Sequence, residues 1–143
     1  MTQNRINAPI VFSGTFTPTY SGSTTPGSTV YTSQFGFYTV FGNIVIAQVS
    51  ITLSSTTATG DLILQGLPFT IKNQTNGVPV NEVRFSSTTW TFPANTEQCI
   101  LQGIVNTNTA KLLCIGASAT SGAYMQIQNL SSNNIAGSLI YMM

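Results

Sequence analysis

The chain has 143 residues, 42% of them hydrophobic, and only seven charged side chains: Arg5, Asp61, Lys72, Glu82, Arg84, Glu97 and Lys111. A net charge of +1 carried by scattered basic residues gives no footprint for nucleic-acid phosphates or an anionic membrane surface, and the lack of any histidine excludes Ser-His-Asp and Cys-His catalysis. The length suits a single domain with its own core, and no apolar run approaches the ~20 residues of a membrane span.

Ser, Thr, Asn and Gln number 58 and supply the polarity that charges do not, so the expected surface is wet but uncharged. Near-zero net charge removes the repulsion that keeps ordinary domains apart, which suits a chain living inside an assembly. Residues 1–9 read as an N-terminal arm. Its opening, Met1-Thr2-Gln3-Asn4-Arg5, lacks the hydrophobic stretch of a signal peptide, so export is not expected. Residues 10–143 read as one domain without helices: no dozen-residue window carries apolar positions at three-and-four spacing, and Thr, Val, Ile, Phe and Tyr fill the hydrophobic runs.

The first strand is expected over 10–17, ahead of the loop tract Ser21-Gly22-Ser23-Thr24-Thr25-Pro26-Gly27. A long strand over 29–41 places Phe35, Phe37 and Phe41 on one side, and Gly42-Asn43 turns it into a strand over 43–53. There Val45, Ala47, Val49, Ile51 and Leu53 share a face. Further strands are expected at 61–65, 83–92, 97–105, 110–117, 123–128 and 135–143. About eight to ten strands at such spacing predict an all-β, antiparallel β-sandwich or jelly roll.

Several strands are apolar on both faces. Ile44 and Ile46 oppose Val45 and Val49, and Ile140 and Met142 oppose Leu139 and Tyr141. Either a bulge swaps faces mid-strand or a neighbouring subunit covers the second face, and the subunit is the simpler cover. Phe37, Phe41, Ile44, Ile46, Ile140 and Met142 are therefore the candidate subunit interface.

Chemistry is sparse. No phosphate-binding glycine loop is present and Asp61 stands alone among Thr and Gly, so neither a cofactor nor a dedicated metal site is expected. Two of the acids Asp61, Glu82 and Glu97 would have to meet in space to form a glycosidase pair, without the shell of charged partners such a pair normally has. No enzyme is expected. A two-residue turn at Asn106-Thr107 sets Cys99 opposite Cys114. A cross-strand disulfide is open to such a pair, but strain and the missing export signal favour free, buried thiols. Trp90, Tyr20, Tyr31 and Tyr124 are candidate ligand contacts, aromatic platforms for sugar rings among Asn and Gln amides, although the placement of Trp90 and Phe92 on one face of a strand favours core anchors for those two. Two glycosylation sequons, at Asn73 and Asn129, are assigned no role in so Asn-, Ser- and Thr-rich a chain.

Gly14-Thr15-Phe16-Thr17-Pro18-Thr19, the run Tyr31-Thr32-Ser33-Gln34-Phe35-Gly36-Phe37-Tyr38-Thr39-Val40-Phe41-Gly42-Asn43-Ile44-Val45, Gly66-Leu67-Pro68-Phe69 and Gly137-Ser138-Leu139-Ile140-Tyr141 resemble a pattern in the heads of phage tail fibres and related viral receptor-binding domains of the TNF-like or C1q-like jelly-roll kind. The resemblance spans nearly the whole chain. It implies a homotrimer at a fibre tip, located in the virion on a tail fibre or capsid surface, made in the host cytoplasm and contacting a host surface glycan or protein. The arm, through Thr2 to Pro9, would dock onto other virion proteins. Phe37, Val40 and Phe41 stand where the pattern is more polar, which favours a subunit contact there. Two alternatives remain open: a capsid decoration or minor virion protein without a receptor role, and a glycan-processing enzyme using two of the acids.

Overall fold

The computed structural model describes residues 11–74, 77–86, 90–116, 122–128 and 133–143; the expected arm, residues 1–9, lies outside them, as do the last residue of the first sequon and all of the second. All regular structure in the described residues is β. The strands are β1 (Val11–Phe16), β2 (Thr19–Gly22), β3 (Thr29–Phe41), β4 (Ile44–Thr56), β5 (Leu62–Gln65), β6 (Val80–Ser86), β7 (Thr96–Ile104), β8 (Thr109–Gly116), β9 (Ala123–Tyr124) and β10 (Asn133–Met142). They run antiparallel in the order β1-β3-β4-β10-β6-β7-β8-β5-β2, with β9 added to β8.

The array curls into two layers because strands change sides. β1 pairs with β3, but after Thr17 and Pro18 the chain continues as β2, which pairs with β5 on the opposite layer. β6 divides in the same way: Val80, Asn81 and Glu82 pair with β7, while residues 83–86 pair with β10. The Tyr31 hydroxyl accepts a hydrogen bond from the Tyr20 backbone N–H (2.7 Å) and donates one to the Tyr20 carbonyl (3.2 Å), tying β3 to β2 and drawing the ends of the array together.

The core fills the space between the layers. From one side come Val40, Val45, Ala47, Val49, Ile51, Leu53, Ile135 and Leu139, and from the other Leu62, Leu64, Leu101, Ala110 and Leu112, all buried. Each large aliphatic side chain sequestered in this way contributes about 1.5–3 kcal/mol. Gly42 takes a positive φ of 63° at the first position of the two-residue turn between β3 and β4, where Phe41 and Ile44 are the last pair. A side chain is disfavoured in that conformation, so glycine closes the hairpin.

The ladder decides between bulge and double-faced strand. β4 and β10 pair without a break from Asn133 opposite Leu53 to Met142 opposite Ile44, and the irregularities of β3 against β4 lie far off, around Val30, Tyr31 and Ser33. Ile44, Ile46, Ile140 and Met142 therefore point away from the core.

Three expectations are corrected. The strand expected at 83–92 occupies Val80–Ser86, starting directly after Pro79, and Trp90 and Phe92 follow it in irregular chain. β2 was hidden in a stretch without alternation. Cys99 and Cys114 are not free thiols but a disulfide, with S–S 2.13 Å. The expected register was right: the two are directly opposite, with Cα atoms 4.1 Å apart. Such close spacing marks a pair without ladder hydrogen bonds, in which side chains face each other most closely.

Candidate functional site

Two surfaces carry features that packing alone does not account for. The first is the outer face of β1, β3, β4 and β10. Cross-strand pairing sets Val11 beside Phe41, Phe41 beside Ile44 and Ile44 beside Met142, with Ile46 next to Ile140 one row on. Val11, Phe41, Ile44 and Ile140 are each 43–55% exposed. The stripe continues into a groove of about 280 Å³, where Val78 and Pro79 face Ile44, Ile140 and Met142. Five of the six residues expected at a subunit interface thus gather at one end of the sheet. Phe37 stands four residues from Phe41 along β3, opposite Gln48, in the same outward orientation.

The second surface is a cleft of about 310 Å³ at the fork where β6 leaves β7 for β10. Glu82 and Val83 stand at the fork, Phe85 and Phe92 form an aromatic wall, and Thr96, Glu97, Gln98 and the Cys99 side of the disulfide close it. Phe85 meets Phe92 edge-on at 5.0 Å and Trp90 at 5.4 Å, so Trp90 and Phe92 are held against β6 in an aromatic cluster. Glu82 and Glu97 are exposed and have no ion-pair partner among the described residues.

Asp61 is placed differently. It pairs with Lys111 at 3.1 Å and accepts a hydrogen bond from Gln126 Nε2 at 2.7 Å. Lys111 Nζ lies 4.6 Å over the Tyr124 ring, whose hydroxyl donates to Gln102 Oε1 at 3.0 Å. Two of the three acids thus line one cleft and the third locks a polar cluster on the outer face of β7, β8 and β9.

The expected aromatic platforms fare unevenly. Tyr20 and Trp90 are core residues, 4% and 7% exposed, and the Tyr31 hydroxyl is spent on the Tyr20 backbone. None of the three offers an open ring. Tyr124 and Phe92 do, at 37% and 38% exposure. Burial also pushes the Tyr20 phenol up, reinforced by the neighbouring Tyr31. Strand parity alone could not bring Phe92, Glu82 and Glu97 together, because their meeting depends on the fork in β6.

No protein-family model matches the chain, and no curated protein matches it. Among solved structures, the Dettilon tailspike protein (gp208) is similar over 92% of this chain, with a TM-score of 0.64 and 16% sequence identity. The chain spans about a quarter of that tailspike's length, 24%. The likeness is one of fold, to a segment of a phage tailspike; it does not extend to the TNF-like or C1q-like subdivision of the expected family.

Proposed function

We propose that this chain is a non-enzymatic structural protein of a phage tail, a homotrimeric fibre or spike head that contacts a glycan or protein on the host surface. The observation that carries the reading is the fold shared with a tailspike over nearly the whole chain. The outward apolar stripe supports self-association, since a monomeric surface rarely keeps so many adjoining large apolar side chains in water. In this reading the stripe is the subunit contact, residues 1–9 dock onto other virion proteins, and the assembled head sits at the tail after synthesis in the host cytoplasm. Light scattering on the purified chain should give three times 15.2 kDa, as a closed cyclic assembly requires. A monomer at micromolar concentration would remove the trimer, and failure of the purified protein to adhere to host cells would remove the receptor role.

One observation favours a second reading, a glycan-cleaving enzyme: Glu82 and Glu97 line the same cleft. Against it, both side chains are exposed, whereas a glycosidase general acid works from a desolvating pocket. Release of reducing sugar that vanishes in Glu82→Gln and Glu97→Gln would establish the enzyme.

A further inference from the structure

We infer that the cleft at the β6–β7 fork is a saccharide site selective for neutral sugar rings over acidic ones. The inference deepens the host-contact reading and rests on it for its biological sense.

The site is built by the topology. β6 and β7 pair only at Val80 with Gln102, Asn81 with Leu101 and Glu82 with Ile100. Beyond that point residues 83–86 follow β10, and no ladder pair joins them to residues 96–99 among the described residues. A wedge therefore opens between two strand edges. At about 310 Å³ it lies at the small end of ligand sites, ~300–1,000 Å³.

Its two walls match the two sides of a pyranose. Such a ring presents an apolar C–H face and a rim of hydroxyl donors. Phe92, fixed edge-on against Phe85, offers aromatic surface to the first. Glu82 and Glu97 are acceptor-only groups for the second, joined by Thr96 and Gln98. Hydrogen bonds from hydroxyls to carboxylates are among the stronger kind. No Lys or Arg lines the cleft among the described residues, and Arg84, two residues on from Glu82, lines the adjoining groove instead, so inside the cleft a sugar carrying carboxylate, sulfate or phosphate would meet two like charges.

Phe92 also borders a second groove of about 390 Å³ on its other side, with Tyr124, Gln126 and Gln128. Those residues are held before any ligand arrives. Gln128 Oε1 accepts the Thr91 N–H at 3.0 Å and its Nε2 donates to the Thr91 carbonyl, while Tyr124 is pinned by Gln102 and Lys111. A saccharide chain crossing Phe92 would run from one groove into the other on a preorganised surface, which limits the ordering cost of binding.

Trp90 is the chain's one tryptophan and stands 5.4 Å from Phe85, so its fluorescence reports on the cleft. The protein is titrated with a panel of neutral bacterial polysaccharides and oligosaccharides and with acidic counterparts. A saturable change with neutral members and none with acidic ones at equal concentration is expected. Phe92→Ala and Glu97→Gln should each weaken binding about tenfold or more, while Phe35→Ala, an exposed aromatic of β3 outside the cleft, leaves it unchanged. Glu97→Gln removes only charge at an exposed position and keeps the test valid if Phe92→Ala loosens the fold. No saturable change with any neutral member, equal binding of acidic members, or unaltered binding by Glu97→Gln overturns the inference. Host cells retained equally by native protein and both cleft variants would leave the host-contact reading standing and sink the cleft. Neutral sugar bound in the cleft by a protein that ignores cells would do the reverse.

Discussion

Tyr141 shows how a single buried side chain ties stability to solution conditions. It lies near the C-terminal end of β10, 3% exposed, and its hydroxyl oxygen accepts the Phe69 backbone N–H at 3.3 Å. Burial pushes its pKa from 10.0 up to about 12, against a smaller lowering by the Phe69 hydrogen bond. Between those values the unfolded chain releases the phenolic proton and the folded chain keeps it, so folding stability falls as pH rises from 10 to 12 and is unaffected by this group below 10. The Tyr20 shift has the same sign. Thermal melts should show the midpoint falling over that alkaline interval, less steeply in Tyr141→Phe. An identical alkaline slope in the variant would mean that Tyr141 is not held protonated by the fold.

At the scale of elements, the β7–β8 hairpin carries the disulfide, which closes a loop of sequence separation 15. Constraining the unfolded chain over such a loop is worth about 3 kcal/mol in the chain-entropy account. Denaturant unfolding with and without reductant should differ by about 2–3 kcal/mol. The double variant Cys99→Ala with Cys114→Ala should behave like the reduced protein. Overlapping curves would show that the bridge adds nothing to this hairpin. The register that sets these cysteines opposite was legible in the sequence, because a turn centred on Asn106-Thr107 and the alternation in each strand determine it; the turn itself takes four residues, 105–108, between the last pair, Ile104 and Thr109. The bond itself was not, since strain and export arguments pointed the other way while the short cross-strand approach favoured it. β3 and β4 were legible for the same reason: long alternating runs on either side of Gly42-Asn43 allow one pairing. β2 was not, because Thr19–Gly22 has no apolar periodicity and is defined by its pairing with β5 and by the Tyr31 hydroxyl. The cleft was least legible of all. Glu82 and Glu97 are fifteen positions apart, and only the departure of β6 toward β10 turns the space between them into a site.

For the molecule as a whole, the contrast between faces matters most. The outer face of β1, β3, β4 and β10 is apolar at one end, while the outer face of β7, β8 and β9 carries the Asp61–Lys111 pair, Gln102, Tyr124 and Gln126. A surface with seven charges has little else to keep copies apart, so the apolar end is where association should be decided. Ile44→Lys combined with Ile140→Lys places charge at two exposed positions of the stripe without touching the core. Light scattering should then report a monomer, with a circular dichroism spectrum like that of the parent. A variant that scatters as the parent does would move the proposed subunit contact elsewhere.

The position of β10 has a consequence for how such a protein is made. β10, which leaves the ribosome after β1 to β9, lies between β4 and β6 and joins the two halves of the array. Until it is synthesised, β4 and β6 each present an open edge, and the interior contributed by Ile135 and Leu139 is missing. Nascent chains must therefore wait with unsatisfied strand edges that invite pairing with their neighbours on the same message. In the trimer proposed above that crowding is also an opportunity, because Ile140 and Met142 complete the outward stripe as the closing strand arrives: closure of the array and readiness to associate become one event.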